Sequence, residues 1–111
     1  MKKIYIASPY TKGDTALNVK AQIDVADKLI DLGFAPFCPL YSHFQHMIHP
    51  RPYEDWIRLD NEWVLACDAV LRLPGESRGA DGEVNLAKAN SIPVVYNIED
   101  LCAIFASDQS E

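Results

Sequence analysis

The chain has 111 residues, of which 49% are hydrophobic, with a formal net charge of −6 and no run of lysine or arginine. That length suits one domain spanning residues 1–111, and the hydrophobic share excludes a disordered chain. The acidic balance without a basic stripe excludes broad binding to nucleic acid polymers or anionic membranes, while a few local donors could still hold one phosphate.

Met1-Lys2-Lys3 leads into the apolar run Ile4-Tyr5-Ile6-Ala7, a strand pattern stopped by Ser8-Pro9. The run is too short for a signal peptide or a membrane span, so the expectation is a cytoplasmic chain. From about Asp14 to Leu32 the apolar residues Ala16, Val19, Ile23, Ala26, Leu29 and Ile30 recur every three or four positions, which predicts a helix ended by Gly33. Phe34 to Pro39 reads as a second strand, kept to a sheet edge by its two prolines. Leu40 to Arg51 reads as a loop of roughly a dozen residues. Pro52 opens a helix running to about Cys67, Asp68 to Leu73 is a third strand, and a helix from about Asp81 to Asn90 follows. Ile92 to Tyr96 is the fourth strand, and Ile98 to Phe105 a last short helix. Alternating strands and helices predict a doubly wound, flavodoxin- or Rossmann-like parallel sheet in the order 2-1-3-4. Its switch point falls between strands one and three, where ligands bind in such sheets.

The stretch Ser77-Arg78-Gly79-Ala80-Asp81-Gly82-Glu83 therefore brings a carboxylate to the mouth of the sheet, next to Ser8-Pro9-Tyr10. Two readings of Glu83 stand at this point: a reacting group, or an acidic residue favoured in a first helical turn by the dipole. Asp60 is the second anomaly. It lies on the apolar face Tyr53, Trp56, Ile57, Trp63, Val64 and Cys67, where an unpaired charge is costly. It is either functional or held by a backbone amide, Arg72 or Arg78. Asp68, at the other end of the sheet, reads as a turn or capping residue.

His43, His46 and His49 are spaced by three on a proline-bounded segment with no cysteine or carboxylate to complete a ligand set, so no metal is expected. A lid or a subunit contact suits that segment better. Cys38, Cys67 and Cys102 are odd in number and scattered, which fits reduced core thiols. No nucleophile elbow, Walker A or dinucleotide motif is present, and no cofactor is expected.

Lys3-Ile4-Tyr5-Ile6-Ala7-Ser8, then Asp60-(x7)-Asp68, then Ser77-x-Gly79-x3-Glu83, together resemble the nucleoside 2-deoxyribosyltransferase superfamily. Leu59 to Val70 is similar in spacing and character to its branch of 2′-deoxynucleoside 5′-phosphate N-hydrolases, and the short length and prolines are similar to compact phage and bacterial relatives. The resemblance covers most of the chain in order, through about a dozen motif-like positions. It implies that Glu83 is the nucleophile, that Tyr5 orients it, and that Asp60 contacts the sugar or assists the base. It implies further that Ser77 faces a 5′-phosphate, that Gly79 lets backbone amides approach it, and that Ser8 is another donor. Tyr10 makes the first loop stiffer and bulkier than the family's glycine-rich one. Asp81 stands where relatives carry a smaller or neutral residue, and a second negative charge there would raise the pKa of Glu83.

The implied activity is cleavage or transfer at the N-glycosidic bond of a (deoxy)nucleoside or its 5′-monophosphate, by the logic of retaining glycosidases. Water as acceptor gives a hydrolase, a second base a transferase, and the leaving base takes its proton from Asp60 or Asp81. The competing readings are a silent nucleotide-binding sensor using the same pocket and a structural oligomer. The expected partner is a small nucleoside or nucleotide, and the apolar 43–49 segment suggests a homo-oligomer.

Overall fold

The computed structural model describes residues 1–106. Four parallel strands, β1 (Lys3–Ala7), β2 (Ala35–Phe37), β3 (Ala69–Arg72) and β4 (Val94–Val95), form one sheet in the order β2-β1-β3-β4. Ile4 to Ala7 are fully buried, as suits a central strand covered on both faces. The period of two then divides β1 between two layers. Ile4 and Ile6 pack with Ala26, Leu29, Phe34, Leu71 and Leu101, on the side of helices α1 (Thr15–Asp31) and α5 (Ile98–Ile104). Tyr5 and Ala7 pack with Val64, Cys67, Ala80, Val84 and Ala87, under helices α3 (Tyr53–Ala66) and α4 (Arg78–Ala89). That alternation aims Tyr5 at α4.

The predicted strand order, the edge position of β2 and the helices on both faces are all present. The segment 40–51 differs. Instead of a loop it forms a 3₁₀ turn, Pro39–Tyr41, and helix α2, Ser42–Ile48, in which no residue is buried. A helix without a buried stripe carries no periodicity to read. α4 also starts three residues earlier than predicted. Ser77 accepts a hydrogen bond from Ala80 N at 3.1 Å and caps it, so Asp81 occupies the first turn and Glu83 the second. Glu83 is thus beyond the turn where a helix start alone favours an acidic residue.

Two turn positions fix how the strands leave the sheet. Gly33 ends α1 at φ +88°. Gly75, at φ +117°, lies against Pro9, whose Cγ would be 2.7 Å from an added Cβ. The loops after β1 and β3 are therefore in contact at the switch point.

Candidate active site

Tyr5 leaves the centre of β1 toward α4, and its hydroxyl donates to Glu83 Oε2. Both residues are buried, Glu83 with 8% exposure. Burial pushes the Glu83 carboxyl up to about 7; Asp60 adds to the rise, while the Tyr5 hydrogen bond and Arg72 oppose it. Desolvation, with Glu83 and Asp60 nearby, pushes the Tyr5 phenol far above its ordinary range, so it remains a donor. Tyr5 stacks on Phe37 at 5.7 Å between centroids, and Phe37 stacks on Trp63 at 4.8 Å. This ladder holds the phenol from behind.

α3 is less buried than its apolar pattern predicts. Val64 and Cys67 are buried and Trp56, Ile57 and Asp60 half-buried, but Tyr53 and Trp63 are exposed. Among the described residues no hydrogen bond or ion pair reaches the Asp60 side chain, and burial pushes its carboxyl up to about 7. Arg72, expected as one structural partner, is committed elsewhere. Its guanidinium donates to Gly75 O at 2.9 Å and to Asp81 Oδ1 at 3.0 Å, and also to Leu73 O. Asp81 is accordingly paired with Arg72, and it does not contribute to the rise at Glu83.

A cleft of about 510 Å³ opens between α3 and α4. Glu83, Gly79, Gly82 and Arg78 line it from α4, and Tyr53, Ile57 and Asn61 from α3. Gly79 lets the Tyr53 hydroxyl come close to α4 across it, since an added Cβ would stand 3.3 Å from Tyr53 Oη. The first-turn amides of Arg78 and Gly79 have no partner inside the helix, which suits an anion at this end. Sequence reasoning missed Tyr53, Ile57 and Asn61 as cleft walls, since nothing in an amphipathic pattern separates a core face from a cleft face.

The remaining residues singled out in the sequence have other partners. Ser8 is buried, and its hydroxyl accepts from Gln22 Nε2 at 2.7 Å. Gln22 also donates to Ile6 O and accepts from Leu40 N, tying α1, β1 and the 3₁₀ turn together. Gln22 falls in register with Val19, Ala26 and Leu29, the same polar-on-apolar-face signal that marks Asp60. Tyr10 Oη meets His43 Nδ1 at 2.6 Å, joining the first loop to α2. His46 Nδ1 accepts from Trp56 Nε1 at 3.0 Å and from Arg51 N at 3.2 Å. No group of three or more His, Cys, Asp or Glu among the described residues is placed to share a metal ion. Asp68 Oδ2 accepts from Lys3 N at 2.7 Å at the amino end of the sheet. No helix among the described residues is long and apolar enough to cross a membrane.

Among solved structures, the 2-deoxyribosyltransferase of the psychrotolerant bacterium Bacillus psychrosaccharolyticus, described as a biocatalyst for synthesis of antiviral and antitumoral nucleosides, is similar with a TM-score of 0.64. The two share 22% identity over 83% of this chain and 69% of that one, a likeness of fold. No curated protein matches. Residues 2–97 match the profile of a family described as a domain of unknown function, DUF7768, and the chain belongs to that family.

Proposed function

We propose that this protein cleaves or transfers at the N-glycosidic bond of a deoxynucleoside or its 5′-monophosphate, with Glu83 as nucleophile. The observation that carries this reading is the buried Tyr5–Glu83 hydrogen bond at the wall of an open cleft. The similarity in fold to a 2-deoxyribosyltransferase supports it.

Glu83 and Asp60 both have carboxyls near 7 and interact, so near neutrality they share about one proton. The Tyr5 hydrogen bond favours charge on Glu83, whereas Asp60 has no such partner and keeps the proton. The ionised Glu83 oxygen attacks the anomeric carbon, the bond to the base breaks, and Asp60 gives its proton to the leaving base. Water, or a second base, then attacks the glycosyl ester and restores the Glu83 carboxylate, with Asp60 taking up the proton. Asp81 is not available for the acid role because Arg72 holds it.

Gly79 and Arg78, in the first turn of α4, line the cleft, where a 5′-phosphate would meet backbone amides and a guanidinium, with Ser77 capping that helix end. Association of copies belongs to the same proposal. Phe44, Met47 and Ile48 of α2 are exposed, an apolar surface that a second copy would cover.

The test is chromatographic. Purified protein is incubated with the common nucleosides and their 5′-monophosphates, with and without an acceptor base. Base release or exchange by the native chain, absent in Glu83→Gln, is expected. Release undiminished in Glu83→Gln, or none from any substrate, would overturn the proposal.

A further inference from the structure

We infer that the Arg72–Asp81 pair is a positioning device for Glu83. Arg72 straps the β3–α4 connection to the end of the sheet, and Asp81 holds part of its charge away from the cleft. The link to turnover rests on Glu83 being the reacting carboxylate, as proposed above.

Arg72 is the last residue of β3, and its side chain is buried. A buried guanidinium is tolerated only when its donors are used. Here they span the connection, reaching Leu73 O, Gly75 O and Asp81 Oδ1. One planar group thus ties the strand end, the loop and the first turn of α4, which a lysine ammonium cannot do in the same geometry. Asp81 precedes Glu83 by two positions, about 200° around the helix. When Asp81 is held on Arg72, the helix is rotated so that Glu83 meets Tyr5.

The charged and titratable groups around Glu83 come from every neighbouring element. β1 supplies Tyr5, α3 supplies Asp60 and Tyr53, β3 supplies Arg72, and α4 itself supplies Arg78 and Asp81. Tyr5 and Arg72 favour the carboxylate form, and Asp60 opposes it. Asp81 acts on Glu83 only by occupying Arg72. Removing Arg72 should therefore raise the Glu83 midpoint and freeing Arg72 by removing Asp81 should lower it, whereas a pair without electrostatic reach to Glu83 would move neither.

The experiment reads Glu83 directly, by carbon NMR titration of glutamate-labelled protein, in the native chain, Arg72→Met, Arg72→Lys and Asp81→Asn. The Glu83 midpoint should rise in Arg72→Met and fall in Asp81→Asn, each by on the order of half a pH unit. In Arg72→Lys the charge remains, so the midpoint should stay near native. Its kcat for base release should fall about tenfold with KM largely kept, because the fork that positions α4 is gone. The Asp81 side chain is 67% exposed, so Asp81→Asn folds even if Arg72→Met does not. Midpoints that move together, or an unchanged midpoint in Asp81→Asn, would overturn the inference. The titration needs no turnover, so a chain that released no base would refute the proposed function and leave this result readable.

Discussion

Glu83 and Asp60 are carboxyls whose ordinary preference for charge is opposed by their surroundings, and this has consequences for stability as well as chemistry. Each titrates near 7 in the fold and near 4 in the unfolded chain. Between about pH 4.5 and 7 the folded state therefore binds more protons than the unfolded state. Stability rises as the pH falls through this window and is lower above it. Thermal unfolding should show Tm several degrees higher at pH 5 than at pH 8, and Glu83→Gln with Asp60→Asn should flatten that difference. Tyr5→Phe removes the donor that stabilises the Glu83 carboxylate. Its acid limb in the pH–rate profile should move to higher pH, and activity at pH 7 should fall about tenfold or more. Asp60 was legible because a carboxylate on an apolar stripe is conspicuous. The Tyr5–Glu83 contact was not, since it joins residues 78 positions apart and came only with the resemblance.

At the scale of elements, the β3–α4 connection is set by two small residues with separate duties. Ser77 caps α4, and Ser77→Ala should destabilise the fold by about 1 kcal/mol, whereas Ser77→Asp should keep the cap and weaken only the binding of a 5′-phosphate. Gly75 combines a positive φ with the close approach of Pro9, so Gly75→Ala should cost about 2 kcal/mol or more in denaturant unfolding. The strands and α1 were readable because burial imposes periods of two and 3.6 on their sequences. α2 has no helical signature in the sequence because its seven residues bury nothing, and prolines at 50 and 52 resemble loop punctuation. The early start of α4 was hidden by Gly79 and Gly82, which look like turn residues but lie inside the helix, where Gly79 faces the Tyr53 hydroxyl.

Across the whole molecule, the order 2-1-3-4 places the carboxyl ends of β1 and β3 side by side, and the contact of Pro9 with Gly75 joins their loops. That much followed from alternating strands, helices and right-handed crossovers. Which helix face would border a cleft did not, because Tyr53 and Trp63 continue the apolar stripe of α3 yet remain exposed. Exposed Phe44, Met47 and Ile48 should make sedimentation report a species heavier than the 12.4 kDa chain, shifted toward the monomer by Met47→Glu with Ile48→Glu. The central claim remains that Glu83 forms a bond to the sugar. It is tested most directly by acid-quenching the protein during turnover of its best substrate and weighing the peptide that contains residue 83. A mass increase of one deoxypentosyl unit on Glu83, absent from Glu83→Gln, is the expected result. Steady base release with no adduct, and an undiminished rate in Glu83→Gln, would contradict it.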